Sequence, residues 1–242
     1  MHSPTVTAMV LLLGVLSGVL TTLAGLGGGM LLLLAIALLT SPQTALAVTA
    51  PALLLSNLHR AWVYREHIAR PVAVPFALGA LPGSVLGAFA LTALPGWLVQ
   101  TLMVAMTLLA LARSTGRLRW KPRASQVVPA GFGIGMLAAT SGGAGLLAAP
   151  LLMAAGLTAE PYIATVASGA VAMHVGRVLG YGATGLLDGR TLALSAAITA
   201  ALLVGNALGV RVRRWIPQGA SARIELAALT VSVGLALAGV TR

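Results

Sequence analysis

Residues 23–34 read LAGLGGGMLLLL. The stretch begins and ends like a membrane span, yet Gly25, Gly27, Gly28 and Gly29 occupy its middle. Glycine costs a helix interior about 1 kcal/mol against alanine, and lipid supplies no water for an interrupted backbone. As one helix, the roughly 35 apolar residues around it would reach about 52 Å, against a hydrocarbon core of about 30 Å. The stretch therefore reads as a turn between two apolar segments.

Composition sets the class. Of 242 residues, 58% are hydrophobic and 8% charged, and the mean hydropathy is +0.98. A soluble domain carries about 25% charged residues, so this chain is expected to be an integral membrane protein with little mass outside the bilayer. The net charge of +11 is not read as a nucleic-acid signature, because the arginines fall in short connections where they set orientation. There is no cysteine, which removes disulfides, thiolate metal sites and thiol redox chemistry. The four histidines and four acidic residues are scattered without ligand spacing, so neither a metal nor any other cofactor is expected. The N-terminus lacks a basic region and its apolar run continues past any cleavage point, so it reads as a retained segment. Arginine dominance over the single Lys121, with abundant alanine, points to a bacterial source.

Apolar segments fall at about 6–24, 29–40, 44–63, 72–93, 97–112, 127–140, 144–157, 161–183, 191–210 and 223–240. Segments 29–40, 127–140 and 144–157 are short for a span, which needs about 20 residues, and each adjoins glycines. Connections 60–70, 113–126 and 211–223 carry clustered arginines and are expected in the cytoplasm of a cell whose inner membrane the chain spans repeatedly. Connections 93–96 and 184–190 are poor in charge and are expected outside. Counting from these, segments 127–140 and 144–157 leave one face and return to it, forming a hairpin tipped by SGGAG. The first two segments do the same around GLGGG if the N-terminus lies outside.

The two tips align. Gly27 pairs with Gly143 and Gly29 with Gly145 at a common offset of 116 residues (143 minus 27), and the same offset pairs Thr49 with Thr165. Further on, GSVLG (83–87) pairs with GNALG (205–209), and Pro95 with Pro217. Five segments per half is an odd number, so the second half is inverted, and the charges agree: arginine-bearing 60–70 corresponds to nearly neutral 180–190, and charge-poor 93–96 to arginine-rich 210–217. The expected fold is an all-α polytopic membrane protein of two inverted-topology repeats. Each repeat has a Gly-rich hairpin of short helices plus three transmembrane helices: 1–112 the first repeat, 113–126 a basic cytoplasmic loop, 127–242 the second. Inverted repeats are common in secondary transporters, with sites at the repeat interface.

The G-x-G-G-G tip at 25–29, and the tip at 142–145 followed by Pro150, Leu151 and Leu152, resemble the TauE/SafE family of sulfite and sulfonate transporters. The resemblance covers nearly the whole chain. The halves differ in detail: Leu34 stands where the second half has Pro150, and Ala144 interrupts the second glycine run. The resemblance implies a secondary membrane transporter, an exporter of a small anion such as sulfite, a sulfonate or another sulfur or organic oxyanion, working by alternating access around the tips.

The residues give this a physical form. Helix N-termini attract anions, and segments expected to start after Gly29 and Gly145 would aim two of them at one point. Gly27, Gly28, Gly29, Gly143 and Gly145 are thus candidate anion contacts, with close packing of small residues as the alternative. For GSVLG and GNALG, packing is the preferred reading. Arg177 is an ionisable residue within an apolar segment, with a planar fork suited to an oxyanion; snorkelling is its alternative. His174 lies three residues away on the same face, a candidate proton carrier or a structural histidine. Asn57 bonds either to a tip or to a neighbouring helix. Thr140 and Ser141 offer hydroxyls to the anion or cap the turn. Arg60 reads as a topology anchor. The expected partners are the small anion and the lipid bilayer, with no nucleic acid; a homo-oligomer is left open. No catalysis is expected. A passive anion channel, a non-transporting assembly protein and an intramembrane hydrolase using Ser141 and His174 are the competing readings.

Overall fold

A computed structural model describes residues 4–24, 27–115, 117, 124–143, 148, 156–157, 159–217 and 220–240. Nine helices are present among these residues, and no strand. They are α1 (Pro4–Ala24), α2 (Gly28–Leu39), α3 (Pro42–Val63), α4 (Arg70–Ala93), α5 (Gly96–Ser114), α6 (Val127–Ser141), α7 (Ala159–Ala183), α8 (Gly189–Arg213) and α9 (Ala220–Val240). Five helical stretches are long and apolar enough to cross a membrane: Arg70–Ala93, Gly96–Ser114, Glu160–Ala183, Gly189–Arg213 and Arg223–Val240. The 22-residue α3 is long enough to span, about 33 Å, but carries a polar edge of Thr49, Ser56, Asn57 and Arg60 toward the interior. The expected segment at 144–157, with Gly145 and Pro150, lies almost wholly outside the described residues.

The helix boundaries follow from local chemistry. Ser41 caps α3, its hydroxyl accepting from the Thr44 N–H at 3.1 Å, with Pro42 in the first turn where its missing N–H costs nothing. Asp188 caps α8 in the same way, accepting from the Thr191 N–H at 2.7 Å. The short helices behave differently. At 12 and 15 residues, α2 and α6 reach about 18 and 22 Å, less than a core crossing of about 30 Å.

Two helix pairs form the closest contacts. In the GSVLG of α4, a Cβ on Gly83 would sit 2.1 Å from the Phe132 carbonyl oxygen of α6. In the GNALG of α8, a Cβ on Gly205 would sit 2.1 Å from the Val15 carbonyl oxygen of α1. No side chain fits at either point, so these glycines bring backbones together, as read from their spacing. The pairing crosses the halves of the chain: α1 packs on α8, and α6 packs on α4. Meanwhile α3 packs on α7 and α8, and α5 on α9. The core of Leu32, Leu34, Ile36, Leu46, Phe76 and Tyr181 lies between them, each at most 1% exposed.

One boundary corrects the expectation. The α2 helix starts at Gly28, with Gly27 as its N-cap at φ +101° and the Leu31 N–H bonding back to the Gly27 carbonyl at 3.0 Å. Gly28 and Gly29 are therefore in the first helical turn, and Gly27 carries the bend. The reason is steric. A Cβ on Gly28 would lie 2.3 Å from both Ser17 O and Thr21 Oγ1 of α1, so α2 begins while still against α1. The Ser17 hydroxyl donates to the Gly28 carbonyl and joins the two helices.

Candidate functional site

A cavity of about 110 Å³ lies between α2, α3, α6 and α7. Gly27 and Gly29 line it from one glycine turn, and Gly142 and Gly143 from the other. Gly142 and Gly143 have φ of +67° and +65° and turn the chain out of α6. Their Cα atoms sit against the other half: a Cβ on Gly142 would lie 2.0 Å from Leu33 Cδ2, and one on Gly143 would lie 2.6 Å from Met30 Sδ. The two turns are thus brought to one place, from opposite halves of the sequence.

No side chain caps α2, because its N-cap is a glycine. An α-helix leaves its first N–H groups without partners inside the helix and carries about half a positive charge there. At α2 this end is Gly27, Gly29 and Met30, all on the cavity wall. The second such end, expected after Gly145, lies outside the described residues.

Arg177 is the main charge of the site. It is 2% exposed. Its Nη2 donates to the Leu46 carbonyl of α3 at 2.8 Å, and its Nη1 contacts His174 Nδ1 at 3.2 Å. A guanidinium only donates, so Nδ1 accepts and the imidazole hydrogen is assigned to Nε2. A proton on Nδ1 would set donor against donor and break the contact. The guanidinium carbon also lies 5.6 Å from the Tyr181 ring centre, a favourable cation–π distance. Tyr181 is itself fixed by donating to the Ala139 carbonyl at 2.5 Å. Arg177 Nε is buried and has no hydrogen-bond partner among the described residues. None of the four acidic residues, Glu66, Glu160, Asp188 and Glu225, lines the cavity. A buried cation costs several kcal/mol of desolvation unless an opposite charge compensates it, and the described wall supplies none.

The polar residues of α3 complete the wall. Asn57 Nδ2 donates to its own Leu53 carbonyl at 2.7 Å, and its Oδ1 accepts from Arg60 Nη2. Arg60 therefore bends back along the cavity. The sequence places Arg60 beside a basic connection, where an anchor is the simpler reading; the Asn57 spacing of three residues is the signal that it turns inward. Ser56 and Thr49 of α3, and Thr21 of α1, also line the cavity. Thr165, the sequence counterpart of Thr49, instead accepts from the Ala69 N–H at 3.0 Å.

The expected contacts thus separate. Gly27, Gly29, Asn57, Gly143, His174 and Arg177 meet at the cavity. Gly28 faces α1 instead. Thr140 and Ser141 face their own helix, bonding to the Met136 carbonyl at 3.1 Å and the Leu137 carbonyl at 2.7 Å. Gly145 lies outside the described residues. The Ser141 hydroxyl points to Leu137 while the described His174 ring contact is to Arg177, so the two are not joined as a nucleophile and its base. Among the described residues no cluster of His, Asp and Glu could hold a metal ion.

No curated protein and no solved structure is similar enough to match. The composition, the five long apolar helices and one family model together identify a multi-pass membrane protein of a transporter family. That model, described as "Sulfite exporter TauE/SafE", matches residues 10–237, and the chain belongs to this family.

Proposed function

We propose that the protein is a secondary transporter that exports a small oxyanion, sulfite or a sulfonate, across the inner membrane. The substrate binds in the cavity between the glycine turns and is released by alternating access of the two halves, acting as inverted repeats. The observation that carries this reading is Arg177, buried on the wall of the cavity that the α2 N-terminus also lines, with no partner for its Nε among the described residues and none of the four acidic residues on the cavity wall. At an effective dielectric of about 20, an anion 4 Å from such a charge gains about 4 kcal/mol, enough to offset part of the burial. The volume of about 110 Å³ suits an ion of a few atoms, well below the roughly 300–1,000 Å³ of pockets for drug-sized ligands. The exchange of partners between the pairs α1–α8 and α4–α6 supports two related halves. Clustered arginines support the assignment of 60–70, 113–126 and 211–223 to the cytoplasm.

Sulfite-driven current across purified proteoliposomes tests this reading. The expected result is a current that saturates with sulfite and is lost in Arg177→Gln. A current rising linearly without saturation would make the protein a channel, and no current with any sulfur oxyanion would overturn the proposal. Ser141→Ala is expected to leave the current within about twofold of wild type, since its hydroxyl faces Leu137.

A further inference from the structure

A second cavity of about 330 Å³ lies beside the first, between α1, α3, α7 and α8. Its polar wall includes His59, Arg60, Asn206 and Arg213; Val63, Leu203 and Val210 supply apolar wall. Thr21 and Arg60 line both cavities. The partition between them is polar elsewhere too. Asn206 Nδ2, on the second cavity, donates at 3.0 Å to the hydroxyl of Ser56, on the first. Thr22 donates to Asn206 Oδ1 at 3.3 Å, and Arg213 Nη1 donates to the Thr22 carbonyl at 3.2 Å. None of the four acidic residues lines this cavity either.

The arginines form a series. Arg213 is exposed at the end of α8, Arg60 is half-buried on the shared wall, and Arg177 is buried at the centre. A cleft of one charge sign with low-dielectric walls concentrates the opposite ion. Asn57 holds Arg60 across the boundary by accepting from its Nη2. Asn206, in GNALG, is thus more than part of a packing motif.

We propose that the second cavity is an antechamber for the transported anion, open to water at the arginine-rich end, with Arg213 and Arg60 as its receiving cations and Arg60 passing the ion to the central cavity. This rests on the anion-transport reading above and adds the route and its residues.

The absence of cysteine from the chain makes a clean test available. Ala207 lines the second cavity on α8, and Ala207→Cys puts one thiol there. Two methanethiosulfonate reagents of similar size serve as probes, one bearing a sulfonate and one an ammonium group. In each, the thiolate attacks the sulfenyl sulfur, a mixed disulfide forms and methanesulfinate leaves. Rates are normalised to those of Thr92→Cys, an exposed position at the end of α4 far from the arginine clusters in sequence. The expected result is a preference of about tenfold or more for the sulfonate reagent, falling toward parity when Arg60→Gln and Arg213→Gln are added, and loss of sulfite current after labelling. Equal normalised rates, or full current after complete labelling, would overturn the antechamber. So would a thiol that reacts only after denaturation. Labelling does not require transport, so the two readings fail separately. Charge-selective labelling without current from any sulfur oxyanion overturns the transport reading, and saturable current without charge selectivity overturns the antechamber alone.

Discussion

Gly83 and Gly205 sit where helices cross, and Gly27 and Gly143 sit where a helix gives way to a turn beside the cavity. At the crossings the backbone is helical and any Cβ would strike a carbonyl oxygen 2.1 Å away, which cannot move without parting the helices. At the turns φ is positive, and the nearest atoms are the Ala228 Cβ, 3.6 Å from a Cβ on Gly27, and the flexible end of Met30 beside Gly143. The residue type is the same, but the first pair answers a demand for zero volume and the second a demand for a backbone shape. The consequence is that fold and transport can be damaged separately.

The largest effect is expected at the crossings. Gly205→Leu forces α1 from α8 and should abolish monodisperse protein in detergent, as read by size-exclusion chromatography. A normally behaved Gly205→Leu variant with wild-type melting would show that this contact is dispensable. Gly143→Ala should be milder. A left-handed conformation costs a non-glycine residue about 1–2 kcal/mol, so the protein folds with a lowered melting temperature and sulfite current falls severalfold. Part of the added Cβ's cost is its contact with Met30, so Met30→Ala should restore some current. No rescue by the double variant would place the whole cost in the backbone.

The smallest effect concerns a helix end that neither region uses. Bonds to the Asp188 carboxyl from the Thr191 side chain and then the Thr191 N–H, with Arg190 nearby, hold its pKa below the ordinary 3.8. A lowered folded pKa means the cap is complete above the unfolded value and is lost as pH falls through the lower folded one. Hydrogen exchange at the Thr191 amide should therefore show constant protection, after correction for intrinsic rates, from pH 7 down to about 5, and Asp188→Ala should remove it at all of these pH values. Protection that declines between pH 7 and 5 would contradict the cap.

Much of this was legible in the chain. Hydrophobic runs bounded by glycine, proline and arginine place the helices to within a few residues, because helix ends in lipid are set by local chemistry. Arg177 stands out because a charge inside an apolar run needs a reason. Other parts depend on distant contacts and left weaker traces. Arg60 reads as an anchor because its neighbours in sequence are basic, and its inward turn depends on Asn57 and on cavity walls far along the chain. Ser56 and Asn206 are ordinary small polar residues until α3 and α8 bring them together across 150 positions. Gly28 resembles its neighbours in sequence and differs in facing α1, which only the packing of that hairpin decides.

The central claim is that Arg177 holds the transported anion. Sulfite-dependent thermal stabilisation of purified protein tests it without requiring transport. Charge-assisted hydrogen bonds contribute about 1.5–3 kcal/mol. Wild type should therefore show saturable stabilisation by sulfite, with Arg177→Gln folded but requiring at least about tenfold more sulfite for half the effect, and Arg177→Lys falling between. The same sulfite response in wild type and Arg177→Gln would contradict the account.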